Sequence, residues 1–266
     1  MWNSVAGQTC PNWQLCVADA SDAAHAYVGE FFAAKKNVRY CKVANNGISA
    51  NTNAAAQLAG GEYLALLDHD DVLAPHAVYE MLKAARQTGA AFLYSDEALF
   101  ETSIERPSAG HFKPDFAPDY LNCCNYICHF AMFQAGLFHA VGGLDSACDG
   151  AQDHDLFLKL SERCTPVHVP KVLYYWRVHA GPTSGGTAAK PYVTAAAKRA
   201  IAAHLARTGA EGTVQDGLFP STYKVDYTLA HTPLVSILIP NKDHTEDLDK
   251  ALRSILEKTD YPAYEV

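Results

Sequence analysis

The stretch that most constrains this 266-residue sequence is residues 62–71, EYLALLDHDD, where a near-continuous apolar run stops on Asp68, His69, Asp70 and Asp71. A run without polar alternation is what a central strand buried on both faces requires. Such a strand needs neighbours beside it and helices above and below. Residues 13–18 (WQLCVA) and 38–43 (VRYCKV) read as strands, the first ending at Asp19. Residues 48–59 read as a helix capped by Ser49 or Asn51 and closed by Gly60-Gly61. Residues 75–88 form a second expected helix, with Pro75 in its first turn and Gly89 after its last. A short strand over 90–94 then ends before Ser95-Asp96-Glu97. This alternation predicts an α/β fold with a mostly parallel central sheet flanked by helices. Ligand sites on such sheets lie beyond the strand C-termini, where Asp19, the Asp68 turn and Asp96-Glu97 all fall.

Downstream the pattern loosens. Residues 101–118 are irregular, and 119–138 are mixed and apolar with Asn122, Asn125 and His129 embedded. A turn at Gly142-Gly143-Leu144-Asp145 precedes an expected helix over 153–163, a strand over 167–176 and an alanine-rich helix over 191–207. Residues 212–229 read as two strands or a linker. An internal repeat follows. SILEKT at 254–259 mirrors SVAGQT at 4–9, and Pro262, Tyr264 and Val266 mirror Pro11, Trp13 and Leu15 after a one-residue slip. The second copy is preceded by a strand, PLVSILIP at 233–240, and a helix over 245–256, whereas the first copy has no strand before it. The expected organisation is a domain over 1–210 lacking its own first strand, a linker over 211–232, and the start of a second, homologous domain over 233–266. A fold-back of residues 235–239 beside Leu15 and Ala18, filling the vacant place, is a further expectation.

Composition narrows the function. A net charge of −8 with scattered basic residues argues against a nucleic-acid partner. No leader-like start and no stretch of 18 apolar residues is present, so no transmembrane segment is expected, and any membrane association of the full-length protein is peripheral. The eight cysteines have neither CxxC pairs nor zinc-like spacing, which suits packed, reduced thiols and a cytoplasmic location, at the inner face of the membrane.

Two carboxylates spaced D-x-D at a strand end splay into a crevice, and hard oxygen ligands suit Mg²⁺ or Mn²⁺ beside substrate phosphates. The same residues read equally as a solvated acidic turn or a helix N-cap, and strand-plus-DxD also suits an aspartate-nucleophile phosphatase. The company the turn keeps separates these readings. SVAGQTCPNWQLCVAD at 4–19, NGIS at 46–49, GEY at 61–63 running into LDHDD at 67–71, YSDE at 94–97, GGLD at 142–145, QDHDL at 152–156 and WRVH at 176–179 form an ordered series. Together they resemble the family 2 glycosyltransferases of the GT-A, Rossmann-like fold, over residues 4 to 185.

The resemblance implies a nucleotide-diphospho-sugar donor, a saccharide or lipid-linked saccharide acceptor and surface polysaccharide biosynthesis in bacteria. It implies roles as well. Asp19 matches the residue that recognises the base, and Ala20 departs from the acid that usually follows. Asp68 would hold the ribose or the metal's water shell, and Asp70 the metal, with Asp71 behind them. Asp153 matches the general base of an inverting transfer, Arg177 is expected to meet phosphate charge, His179 to ligate the metal, and Asp96 to touch the donor. Lys113 and the 122–129 segment are acceptor-side candidates by position. The competing expectations are a truncated, non-catalytic fragment and a metal-dependent phosphohydrolase.

Overall fold

The computed structural model describes residues 1–22, 25, 27–178 and 191–266. They divide into two units, Met1–Asp226 and Tyr227–Val266.

The first unit opens with α1 (Trp2–Ala6), β1 (Leu15–Asp19), α2 (Tyr27–Ala33), β2 (Val38–Lys42) and α3 (Ile48–Gln57). β1 and β2 pair in parallel as a two-stranded sheet of their own. The N-terminus of α3 is served by neither expected cap. Asp149, a hundred residues away, accepts hydrogen bonds from the Ser49 amide (3.2 Å) and hydroxyl. Gly47, at φ +96°, clears the way, because a Cβ there would stand 2.5 Å from that carboxylate. α1 is stapled to the sheet by Gln8, whose amide donates to the carbonyls of Ser4 (2.9 Å) and Ala74 (2.7 Å) and accepts from the Val78 amide at 3.0 Å.

Next come β3 (Tyr63–Ala65), β4 (Val72–Leu73), α4 (Ala77–Thr88), β5 (Phe92–Phe100), β6 (Ala109–His111), α5 (Pro118–Cys123), β7 (Ala131–Gln134) and α6 (Ala135–Ala140). Then follow α7 (Gln152–Ser161), β8 (Val167–Arg177), α8 (Pro191–Thr208), β9 (Gly212–Asp216) and β10 (Tyr223–Tyr227). The central sheet has six strands in the order β3-β7-β5-β8-β4, with β6 on β5.

The α/β class stands, and the sheet is mixed rather than mostly parallel. Only β5 and β8 run parallel within it. β7 is antiparallel to both β3 and β5, and β4 to β8. The difference comes from residues 119–138, which supply β7 between β3 and β5, antiparallel to both. β3 accordingly lies at the end of the sheet order.

β5 also outruns its expected end at Tyr94, so Asp96 and Glu97 lie in mid-strand rather than beyond it. The register to β8 jumps there from Ser95↔Val169 to Asp96↔Val172, a bulge that accommodates Pro170, which has no amide to give to a ladder.

Two apolar clusters lie in this unit. One gathers Phe92, Tyr94, Phe133, Leu156, Phe157 and Ile201, joining sheet, α7 and α8. The other gathers Met81, Leu93, Phe130, Leu173 and Tyr174, joining the sheet to α4. The 212–226 segment is not a linker, since Tyr223 is buried in the first cluster with Val214 and Val225 packed against it. The first unit therefore ends at Asp226 rather than at 210.

The second unit comprises β11 (Val235–Ser236), α9 (Thr245–Lys258) and β12 (Tyr264–Glu265). β11 pairs in parallel with β12, Val235 opposite Tyr264. This pairing is internal to the second unit. No helix among the described residues is long and apolar enough to cross a membrane.

Candidate active site

The acidic turn between β3 and β4 is braced from β8. Asp71 is 0% exposed, and its oxygens accept from the Tyr174 hydroxyl (2.5 Å) and the Arg177 amide (2.7 Å). Tyr174 also accepts from the Asp68 amide at 3.2 Å, and burial followed by the charges of Asp68 and Asp71 pushes its own ionisation far up. Arg177 Nε donates to the Asp70 carbonyl at 2.9 Å, with its guanidinium over the Phe100 ring. Arg177, expected at a phosphate, thus also ties down the residue expected at the metal. Removing one partner of a buried carboxylate costs about 1–3 kcal/mol. Tyr174→Phe is expected to lower stability by that amount, measured as a shift in the urea midpoint with unchanged slope.

Asp68 points outward, its side chain 60% exposed, with Oδ2 3.7 Å from His129 Nε2. The His129 ring stacks on Tyr174 (centroids 4.9 Å apart) and leans on Trp176 (5.3 Å). Behind it lies Glu97, 1% exposed, 3.3 Å from His129 Nδ1 and accepting from the His129 amide at 3.0 Å. Glu97 also meets His111 Nδ1 at 3.0 Å and the buried Lys113 ammonium at 3.5 Å. Burial alone would raise the Glu97 carboxyl, but His111, His129 and Lys113 overcome it and hold the group well below the usual carboxylate range. For His129 burial works against the proton, and the charges of Glu97, Asp68 and Asp153 win, raising it above an ordinary imidazole.

Asp153 stands in the first turn of α7, where the helix dipole favours an anion. Its Oδ1 accepts from the His154 amide (2.9 Å) and its Oδ2 from Asn125 Nδ2 (2.8 Å). Asp68 and Asp153, 85 residues apart in the chain, both exert their charge on His129. Ligand atoms of Asp68, Asp71 and His129 lie within 4.8 Å of one another.

Two expected donor contacts take a different form. Asp96 is 4% exposed inside the sheet, accepting from the Lys113 amide (2.9 Å) and lying 2.8 Å from His168 Nε2. Buried in mid-strand, it supports the Lys113 segment. Asp19 is 7% exposed and receives four donors: the Ser21 amide (2.8 Å) and hydroxyl (2.5 Å), Tyr40 (2.6 Å) and Lys42 (3.1 Å). The Ser21 and Tyr40 bonds hold it far below the usual carboxylate range, and Tyr40 is raised in turn to about 12. Every lone-pair direction of that carboxylate is engaged within the protein. His179 lies outside the described residues.

The residues missed as supports of the acidic turn and Asp153 are Tyr174, His129 and Asn125. Asn125 and His129 carried a signal, being polar side chains within an apolar stretch, which a fold tolerates only where partners wait.

Residues 1–142 match the family model described as Glycosyl transferase family 2. The chain belongs to that family. Among relatives of this family 2 chain, protein y4gI of Sinorhizobium fredii is 38% identical over 275 residues, covering 100% of the chain and 30% of its own length. The O-antigen biosynthesis protein RfbC of Myxococcus xanthus is 35% identical over 269 residues, covering 99% and 21%. The chain thus spans less than a third of either relative. Among solved structures, S. aureus TarS 1-349 in complex with UDP-GlcNAc superimposes with a TM-score of 0.62 at 16% identity, covering 77% of this chain and 61% of that one. That likeness gives the family 2 domain its GT-A fold.

Proposed function

We propose that the first unit transfers a sugar from a nucleotide-diphospho-sugar to an acceptor hydroxyl with inversion at the anomeric carbon, aided by Mn²⁺ or Mg²⁺, in the building of a surface polysaccharide. The observation that carries this reading is that one loop reaches both carboxylates, His129 standing 3.7 Å from Asp68 and Asn125 donating to Asp153 at 2.8 Å. An outward carboxylate on a braced turn suits a donor. A second carboxylate on a helix N-terminus suits a hydroxyl that must lose its proton.

Asp153 takes the acceptor proton as the hydroxyl oxygen attacks the anomeric carbon, and the bond to the diphosphate breaks on the opposite face. Asp68 and Asp70 offer the hard oxygens that Mn²⁺ or Mg²⁺ prefers, and the nearness of Asp68, Asp71 and His129 fits a cation there. When bound, the ion would neutralise charge on the departing diphosphate. Arg177 contributes by fixing Asp70. The RfbC relative, named for O-antigen biosynthesis, supports a surface polysaccharide, with a saccharide or lipid-linked saccharide as acceptor. The UDP-GlcNAc bound in the TarS structure supports the donor class.

Calorimetric titration of UDP-GlcNAc and other nucleotide-diphospho-sugars, with and without Mn²⁺, tests the reading. Binding is expected to need the metal and to weaken at least about tenfold in Asp70→Asn, a loss of about 1.4 kcal/mol. Metal-independent binding untouched by that change removes the metal assignment, and release of free phosphate in place of a transferred sugar turns the reading into a hydrolase.

A further inference from the structure

We infer that Asn125 is the positioning residue that aims Asp153, and that the loop between α5 and β7 is the element that sets both carboxylates of the site. This rests on the reading of Asp153 as the base.

The Asn125 side chain is oriented from both ends. Its Oδ1 accepts from the Cys128 amide at 3.4 Å, which leaves Nδ2 to donate to Asp153 Oδ2 at 2.8 Å. With Oδ1 of Asp153 engaged by the His154 amide, rotation of the carboxylate about its Cβ–Cγ bond is stopped at both oxygens. The lone pair of Oδ2 that Asn125 does not use is then aimed in one direction. A neutral amide suits this task. It supplies a donor without adding charge, whereas a lysine there would hold the carboxylate by ion pairing and blunt it as a base.

The loop that carries Asn125 is fixed from below by groups that the transfer step does not use. Lys113 Nζ donates to the carbonyls of Ile127 (2.6 Å) and His129, and Glu97 accepts the His129 amide at 3.0 Å. Four residues beyond Asn125 the same loop presents His129 to Asp68. One buried pair therefore anchors a loop that touches Asp153 with one side chain and Asp68 with another.

The test compares Asn125→Ala and the isosteric Asn125→Asp on the full chain. In crystal structures of both variants the Asp153 carboxylate is expected to leave its wild-type rotamer while α7 stays in place. With UDP-GlcNAc and Mn²⁺, kcat for UDP release is expected to fall about 100-fold in both variants, with KM for the donor within twofold of wild type. Asn125→Asp keeps the shape but sets a second carboxylate against Asp153, whereas Asn125→Ala removes the donor and adds no charge, so the loss in Asn125→Ala assigns the effect to the hydrogen bond. An unmoved Asp153 carboxylate, or an Asn125→Asp variant that turns over like wild type, overturns the inference. Asp153→Asn is the control: if it retains full turnover, the base assignment fails, whereas an inactive control beside a fully active Asn125→Ala sinks the positioning role alone.

Discussion

Asp153→Asn is expected to lower kcat by about 10²–10⁴-fold, the range general-base catalysis contributes, while leaving donor affinity within twofold. The replacement is nearly isosteric and keeps the α7 turn, since its Oδ1 can still accept from the His154 amide. What it loses is the ability to take a proton. It also sets an amide NH2 against Asn125 Nδ2, a conflict that a flip of Asn125 relieves at the cost of its 3.4 Å contact with the Cys128 amide. The groups proposed to meet the donor, Asp68 on its braced turn and Asp70 tied by Arg177, are untouched. The separation of kcat from donor binding is therefore the expected signature, read by steady-state kinetics beside calorimetry. Equal losses in both would place Asp153 on the donor side instead.

The second large effect concerns stability. Lys113→Met is expected to destabilise the first unit by about 3–5 kcal/mol, because it takes the lysine ammonium from beside the buried Glu97 carboxylate, leaving only His111 and His129 to meet it, and leaves two carbonyls without their donor. Adding Glu97→Gln is expected to recover much of the loss, since a neutral amide costs less to bury than an unpaired charge. Urea unfolding of the single and double variants measures both. The sign with pH follows from Glu97, whose folded-state ionisation is depressed. Its contribution is present above the unfolded carboxyl value of about 4.5 and is lost as pH falls below it. The wild-type midpoint is therefore expected to drop on acidification below about pH 4.5, and to drop less in the double variant.

Much of the fold was legible in the sequence because its signals are local. α4 announces itself through Gly89, which adopts φ +70° after the last turn, and the run ending at Asp68 marks β3 and its turn. The site's two principal carboxylates were legible through motif order, Asp68 in LDHDD and Asp153 in QDHDL. What escaped depends on pairing at long range. The antiparallel entry of β7 is encoded in no residue of β7 itself, and the reach of β5 through Asp96 and Glu97 is permitted only because His168, Lys113 and His129 meet those charges. Two acids in sequence look like a turn until their partners are known. The capping of α3 by Asp149 and the brace of Tyr174 on Asp71 escaped for the same reason, since each joins residues about a hundred positions apart.

The loop between α5 and β7 has a consequence for how such a domain diversifies. Because Asn125 and His129 sit on one short segment and reach different carboxylates, an insertion or deletion within it disturbs both halves of the chemistry at once. Related domains are then expected to keep the length of this loop and vary elsewhere. Phe112, 75% exposed, is one position where such change costs the fold little. The loop would then be inherited as a unit.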